Sequence, residues 1–104
     1  MNITKENNGN QVILLLDGWL DTESAPVLGE EIEKIEGVGE LVIDLDKVEY
    51  MSSAGLRQII AAHKKAKEQN ALFTVINVHS EVMSIFALTG LDKKLSIKAA
   101  EATV

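Results

Sequence analysis

Apolar positions along this chain change period several times, and each change marks an element. Gln11-Val12-Ile13-Leu14-Leu15-Leu16 is apolar nearly throughout, which predicts a strand inside a sheet. The turn signal Asn7-Asn8-Gly9-Asn10 before it makes Asn2 to Glu6 a short edge strand in a hairpin. Asp17-Gly18 ends the second strand. Thr22, Glu23, Ser24 and Pro26 then mark a helix start, with Thr22 or Ser24 as cap and the proline in the first turn. Ala25, Leu28, Ile32 and Ile35 give that helix one apolar face, and Gly37 and Gly39 close it. Leu41-Val42-Ile43-Asp44-Leu45 is short and apolar, the pattern of a strand covered on both faces. From Leu56 the period becomes helical: Leu56, Ile59, Ile60, His63 and Lys67 recur on one face, widened by Ala62 and Ala66. This helix begins near Ser53 or Ala54 and runs to about Gln69, with Asn70 as a left-handed terminator. Leu72 to Ile76 is the next strand. Ser80 is expected to cap a short helix with Val82, Ile85 and Phe86 inward and Gly90 just past its end. Leu95-Ser96-Ile97 reads as a last short strand or an extended tail, and Ala99 to Val104 has no clear pattern.

The order hairpin, helix, strand, helix, strand, helix predicts one α/β domain over residues 1–104, with a mixed sheet of four to five strands and packed helices. With 46% hydrophobic but only 4% aromatic residues, the core must be built from Leu, Ile, Val and Ala. The net charge of −6, from 10 basic against 16 acidic residues, argues against a nucleic-acid or anionic-membrane surface. The absence of cysteine excludes thiol catalysis, thiolate metal sites and a disulfide framework, and it fits a reducing compartment. Residues 1–8 lack the apolar core of a signal peptide, and no apolar run reaches bilayer length, so a soluble cytoplasmic protein is expected.

Candidate chemistry centres on Ser52 and Ser53, where a strand hands over to a helix. The first N–H groups of a helix have no partner inside it, and the helix dipole places positive charge there. A serine hydroxyl at that place can cap the helix, and a phosphate on it would be well received. Capping is the plain reading, and the two roles are compatible. A nucleophilic serine is disfavoured because Ser52-Ser53-Ala54-Gly55 lacks the Gly-x-Ser-x-Gly elbow. The two histidines offer no base: His63 reads as a core or boundary residue, and His79 lies in a turn. Neither a metal site nor a cofactor is expected, because no ligand spacing appears. Asp17, Asp21, Asp44 and Asp46 follow or end strands, so they are either solvated turn carboxylates or a group gathered near the serines. Trp19 is the single tryptophan, and it stands in a turn. It reads as a half-buried lid on the core, with partner anchoring as the alternative. Gly55 is expected to tolerate substitution poorly, because a side chain beside the serines would obstruct a partner.

The segment Val48-Glu49-Tyr50-Met51-Ser52-Ser53-Ala54-Gly55-Leu56 resembles the signature of the STAS domain of bacterial anti-sigma factor antagonists. Leu15 to Thr22 is similar to that family's G-x-L-D turn, and Leu88 to Lys93 to its T-G-L-D turn. The resemblance implies the same sheet-and-helix domain. It implies that Ser53 is the phosphoacceptor, that Asp21 helps present it, and that Ser52, Ala54, Gly55 and Trp19 belong to the partner surface. It further implies a binding protein with no enzymatic activity and no cofactor, a monomer when free. Its unmodified form would bind an anti-sigma factor, a serine kinase of the histidine-kinase-like ATPase fold, and so free a sigma factor to direct transcription. Phosphorylation would end that binding, and a serine phosphatase would reset it. Ser52 stands where the sporulation type carries aspartate, which places the chain nearer the general-stress branch. The alternative is a constitutive subunit of a transport or stress-sensing complex.

Overall fold

The computed structural model describes residues 1–100 of the chain; the reading of residues 101–104 lies outside them. Gly9, at φ +61°, turns strand β1 (Asn2–Asn8) back onto β2 (Gln11–Asp17), in antiparallel register from Asn2↔Asp17 to Asn8↔Gln11. Helix α1 (Ala25–Glu33) leads to β3 (Glu40–Lys47), and helix α2 (Ser53–Glu68) to β4 (Leu72–Val78). Helix α3 (Ser80–Thr89), a 3₁₀ turn (Leu91–Lys93) and β5 (Ser96–Ala99) complete the order. The sheet runs β1-β2-β3-β4-β5, antiparallel between the first two strands and parallel thereafter. The α/β class, the mixed sheet and the upper strand number are those expected from the pattern. Asn70 (φ 56°) and Gly90 (φ 75°) end α2 and α3 in the left-handed region, as the spacing predicted. Among the described residues, no helix is long and apolar enough to cross a membrane.

One expectation fails here. The helices cover only one face of the sheet. Leu14, Ile43 and Val75 are fully buried in one cluster with Leu28 of α1, Ile59 of α2 and Phe86 of α3. Their strand neighbours Ile13, Leu15, Asp44 and Ile76 point away from that cluster and are only partly buried. The physical reason is the crossover rule. Each parallel strand is laid beside the previous one, and crossovers of one hand then place successive helices on the same face. Val42, on the open face, is 4% exposed because its cross-strand neighbours Ile13 and Thr74 shelter it. Asp44 in the middle of the apolar run is the residue that betrays the open side.

Helix starts also differ from the spacing. Ser80 is the first residue of α3, not its cap. His79 holds the cap position and makes no side-chain cap bond. Its Nε2 lies 2.7 Å from Asp46 O, which ties α3 to the end of β3. At α1, Ser24 holds the cap position but its side chain makes no cap bond. Its buried hydroxyl donates to Trp19 O at 2.6 Å and accepts the Asp21 N–H at 2.9 Å. Asp21 instead ties the turn that precedes α1, its Oδ1 accepting N–H from Glu23 (3.1 Å) and Ser24 (3.0 Å). The Ser24 N–H above all, helped by the Ser24 hydroxyl and the Glu23 N–H, holds the Asp21 carboxyl below the ordinary aspartate range against some desolvation.

The 18–24 loop is pinned to the segment before α2. Leu20 N–H donates to Tyr50 O (3.0 Å), Ser52 N–H donates to Leu20 O (2.8 Å), and Leu20 pairs with Met51 as a parallel bridge. Leu20 is completely buried. Gly55, in the first turn of α2, makes this approach possible. A Cβ there would lie 2.6 Å from Leu20 Cγ and 2.7 Å from Leu20 O.

Two expected outcomes follow from this packing. Gly55→Ala should destabilise the domain by about 1–3 kcal/mol in urea unfolding, because the backbone oxygen cannot yield and overpacking outweighs the gain in helix propensity. An unfolding midpoint equal to or above the parent's contradicts this. Asp21→Ala should lower stability at neutral pH. The folded carboxyl is depressed, so its contribution is present above the unfolded value near pH 4 and fades as pH falls through the folded value. The gap between variant and parent in urea melts should therefore narrow from pH 7 to pH 3, and a constant gap contradicts the charge argument.

Candidate functional site

Ser52 has extended backbone (φ −89°, ψ 175°), and its Oγ accepts the Gly55 N–H at 3.3 Å. It is the N-cap of α2. Ser53 is the first helical residue and its side chain is exposed. The reading that left the cap open to Ser53 is resolved in favour of Ser52. Ser52 O also accepts the Leu56 N–H at 2.9 Å. Among the described residues, the N–H groups of Ser53 and Ala54 have no hydrogen-bond partner. An exposed hydroxyl thus stands at the positive end of a 16-residue helix with no acidic residue in its first turn.

The structure brings most of the expected residues to one rim, at the carboxyl ends of β2 and β3. Asp21 and Ser52 sit on either side of Leu20, within the pinned pair of segments. The Asp21 carboxylate is committed to the backbone of its own loop. Ala54 is partly buried in the first turn of α2. Gly55 is buried, so its missing side chain serves the Leu20 contact within the chain rather than a partner's approach. Trp19 is not a lid on the core. It is 65% exposed, while its neighbour Leu20 fills the core at 0%. The indole rests on Tyr50, with ring centroids 5.6 Å apart and planes at 51°. Tyr50 is the residue that sequence reasoning passed over. Its partnership with Trp19 exists only because the Leu20–Met51 bridge aligns two segments distant in sequence.

The remaining carboxylates divide. Asp17 and Asp46 border a hollow beside Trp19, together with Glu49 and Lys47. Asp44 turns to the open face of the sheet, where Oδ1 accepts the Asp46 N–H (2.9 Å) and Oδ2 accepts Asn77 Nδ2 (3.1 Å). It is a structural tie. No metal-binding group of three ligands occurs among the described residues. His63 stacks on Phe73 at 5.6 Å, a boundary residue as expected, and His79 is engaged with Asp46. Among the described residues, neither hydrogen-bonds to a serine hydroxyl, so no nucleophile–base pair is formed there.

Comparisons with known proteins follow the same lines. The STAS domain profile matches residues 2–104. The anti-sigma-B factor antagonist of Bacillus subtilis is 31% identical over 100 residues, covering 95% of this chain and 92% of the relative. The crystal structure of an anti-sigma factor antagonist from Mycobacterium paratuberculosis superposes with a TM-score of 0.85 at 27% identity, covering 93% of this chain and 84% of that one. The Bacillus cell fate determinant SpoIIAA in its phosphorylated form shares the fold, with a TM-score of 0.74 at 16% identity over 98% of this chain and 92% of that one. Profile, sequence relatives and fold agree over nearly the whole described chain: it belongs to the STAS domain family.

Proposed function

We propose that this chain is an anti-sigma factor antagonist. Its unmodified form binds an anti-sigma factor, and phosphorylation of Ser53 ends the binding. The observation that carries this reading is the division of labour between the two serines. Ser52 Oγ is committed to Gly55 N–H, whereas Ser53 Oγ is exposed beside two unpartnered helix N–H groups. The names of the relatives supply the class of partner. By resemblance, that partner is a serine kinase of the histidine-kinase-like ATPase fold, and a serine phosphatase reverses the modification. The whole cycle would run in the cytoplasm, with the chain acting as a binding protein and not as an enzyme.

The mechanism needs no refolding. The γ-phosphoryl group of ATP passes to Ser53 Oγ, ADP leaves, and the hydroxyl proton is released. The product carries about −1.5 to −2 charges on the first residue of α2. The helix dipole accommodates that charge within the free domain, contributing about 0.3–1 kcal/mol. At a contact from which water has been expelled, the same charge without a counter-charge costs several kcal/mol.

Phosphate should therefore appear on Ser53 and not on Ser52. Incubation with the source organism's anti-sigma factor kinases and Mg-ATP, followed by peptide mass spectrometry, checks this. Modification of Ser52 in the parent protein overturns the assignment. The two serines should also separate in unfolding: Ser52→Ala loses a cap, about 1 kcal/mol, whereas Ser53→Ala is near neutral.

Ser53→Asp should melt at or slightly above the parent temperature. In calorimetric titration it should bind the kinase about a hundredfold or more weakly. Ser53→Ala should bind like the parent and resist release by ATP. Parent-like affinity of Ser53→Asp would point to a constitutive structural subunit instead.

A further inference from the structure

Trp19 and Tyr50 are the only tryptophan and tyrosine of the chain, and both lie outside the core. Trp19 is 65% and Tyr50 48% exposed, and the two rings lie against each other. Large rings left to water forgo their burial energy, and a pair of them together marks a surface that something else covers.

The backbone beneath the pair is pinned. Trp19 O accepts the Ser24 hydroxyl at 2.6 Å. The next residue, Leu20, is buried and hydrogen-bonded on both sides, to Tyr50 O and Ser52 N–H. Little conformational freedom remains to be lost when a partner covers the rings, which is the condition for an energetic anchor. The charge around the rings is predominantly negative. Asp17, Asp46 and Glu49 border Trp19 on one side with Lys47, and Asp21 and Glu23 border it on the other with Met1.

We propose that the Trp19–Tyr50 stack is the anchor by which this chain grips its anti-sigma factor. The partner then presents an apolar depression that takes the indole, bordered by guanidinium or ammonium groups that meet the carboxylates. A second copy of this chain is the wrong occupant, because its own acidic border would face this one and like charges repel. The proposal rests on the antagonist reading and adds the source of its affinity. Tyr50 and Ser53 lie three positions apart on one pinned segment, so a partner seated on the rings reaches the serine. Its cationic groups are already engaged by carboxylates, so the partner has no free counter-charge for a phosphate on Ser53.

The single tryptophan makes this measurable. The probe is the purified kinase that modifies Ser53, loaded with ADP. Its addition to the unmodified parent should shift Trp19 emission to shorter wavelength and protect it from acrylamide, and the phosphorylated form should show neither change. Trp19→Ala should melt like the parent yet bind at least about thirtyfold more weakly, and Trp19→Phe should recover most of the affinity. Parent affinity should fall as salt is raised. If Trp19→Ala binds within about threefold of the parent while Ser53→Asp still fails to bind, the anchor is wrong and the antagonist reading stands. Parent affinity that is insensitive to salt overturns the cationic border. If the unmodified parent binds no such kinase, the antagonist reading fails and the anchor falls with it.

Discussion

Everything at the candidate site depends on one close approach, the backbone of Leu20 lying against Gly55 in the first turn of α2. The contact leaves no room for a methyl group. It is held by Ser52 N–H donating to Leu20 O and Leu20 N–H donating to Tyr50 O. With Leu20 sealed inside, the residues beside it have fixed directions. Trp19 is forced outward, and Asp21 is set at the head of α1, where it captures two backbone N–H groups. On the facing segment Met51 goes inward, Tyr50 outward, and Ser52 falls into the cap position. A small buried contact between two loops thus determines which side chains the surface offers.

The sheet explains why those loops meet. β2 and β3 are parallel neighbours, so their carboxyl ends emerge side by side and feed the 18–24 and 48–52 segments. Connections that leave parallel strands at this rim are the usual place for recognition in α/β domains. The helices lie on one face only, and the two-layer body beneath the rim has a single core whose aromatic members are Phe73 and Phe86. The candidate site sits at the edge of that body and not on its faces.

Electrostatics at the rim is selective. A net charge of −6 says only that carboxylates are plentiful. Asp21 is committed to the turn before α1 and Asp44 to Asn77 and the Asp46 N–H, so both act on the fold. Asp17 and Glu49 remain at the surface around Trp19, with Asp46. The N–H groups at the start of α2 are the opposing positive feature, and only Ser53 stands over them with a free hydroxyl.

By itself, the sequence determined what depends on neighbours a few residues apart. The hairpin at Gly9, the strand and helix order, the left-handed stops at Asn70 and Gly90 and the strand-to-helix placement of Ser52 and Ser53 all come from local chemistry. Periodicity and turn residues carry that information because they act within one element. Tertiary structure decided what depends on distant segments meeting. The apolar run at Leu41–Leu45 could not say that its second face stays open, since burial of that face depends on where the crossovers place the helices. The spacing around Thr22 to Pro26 offered two hydroxyl caps, but the Ser24 hydroxyl was drawn inward to Trp19 O and a carboxylate, Asp21, ties the turn before the helix. Gly55 looked like a partner's clearance and proved to be Leu20's. Trp19 looked like a lid because a lone tryptophan is usually buried on one side. It stands in solvent because Leu20 next to it had the better claim on the core, and Tyr50 was brought to it by a bridge that no local pattern announces.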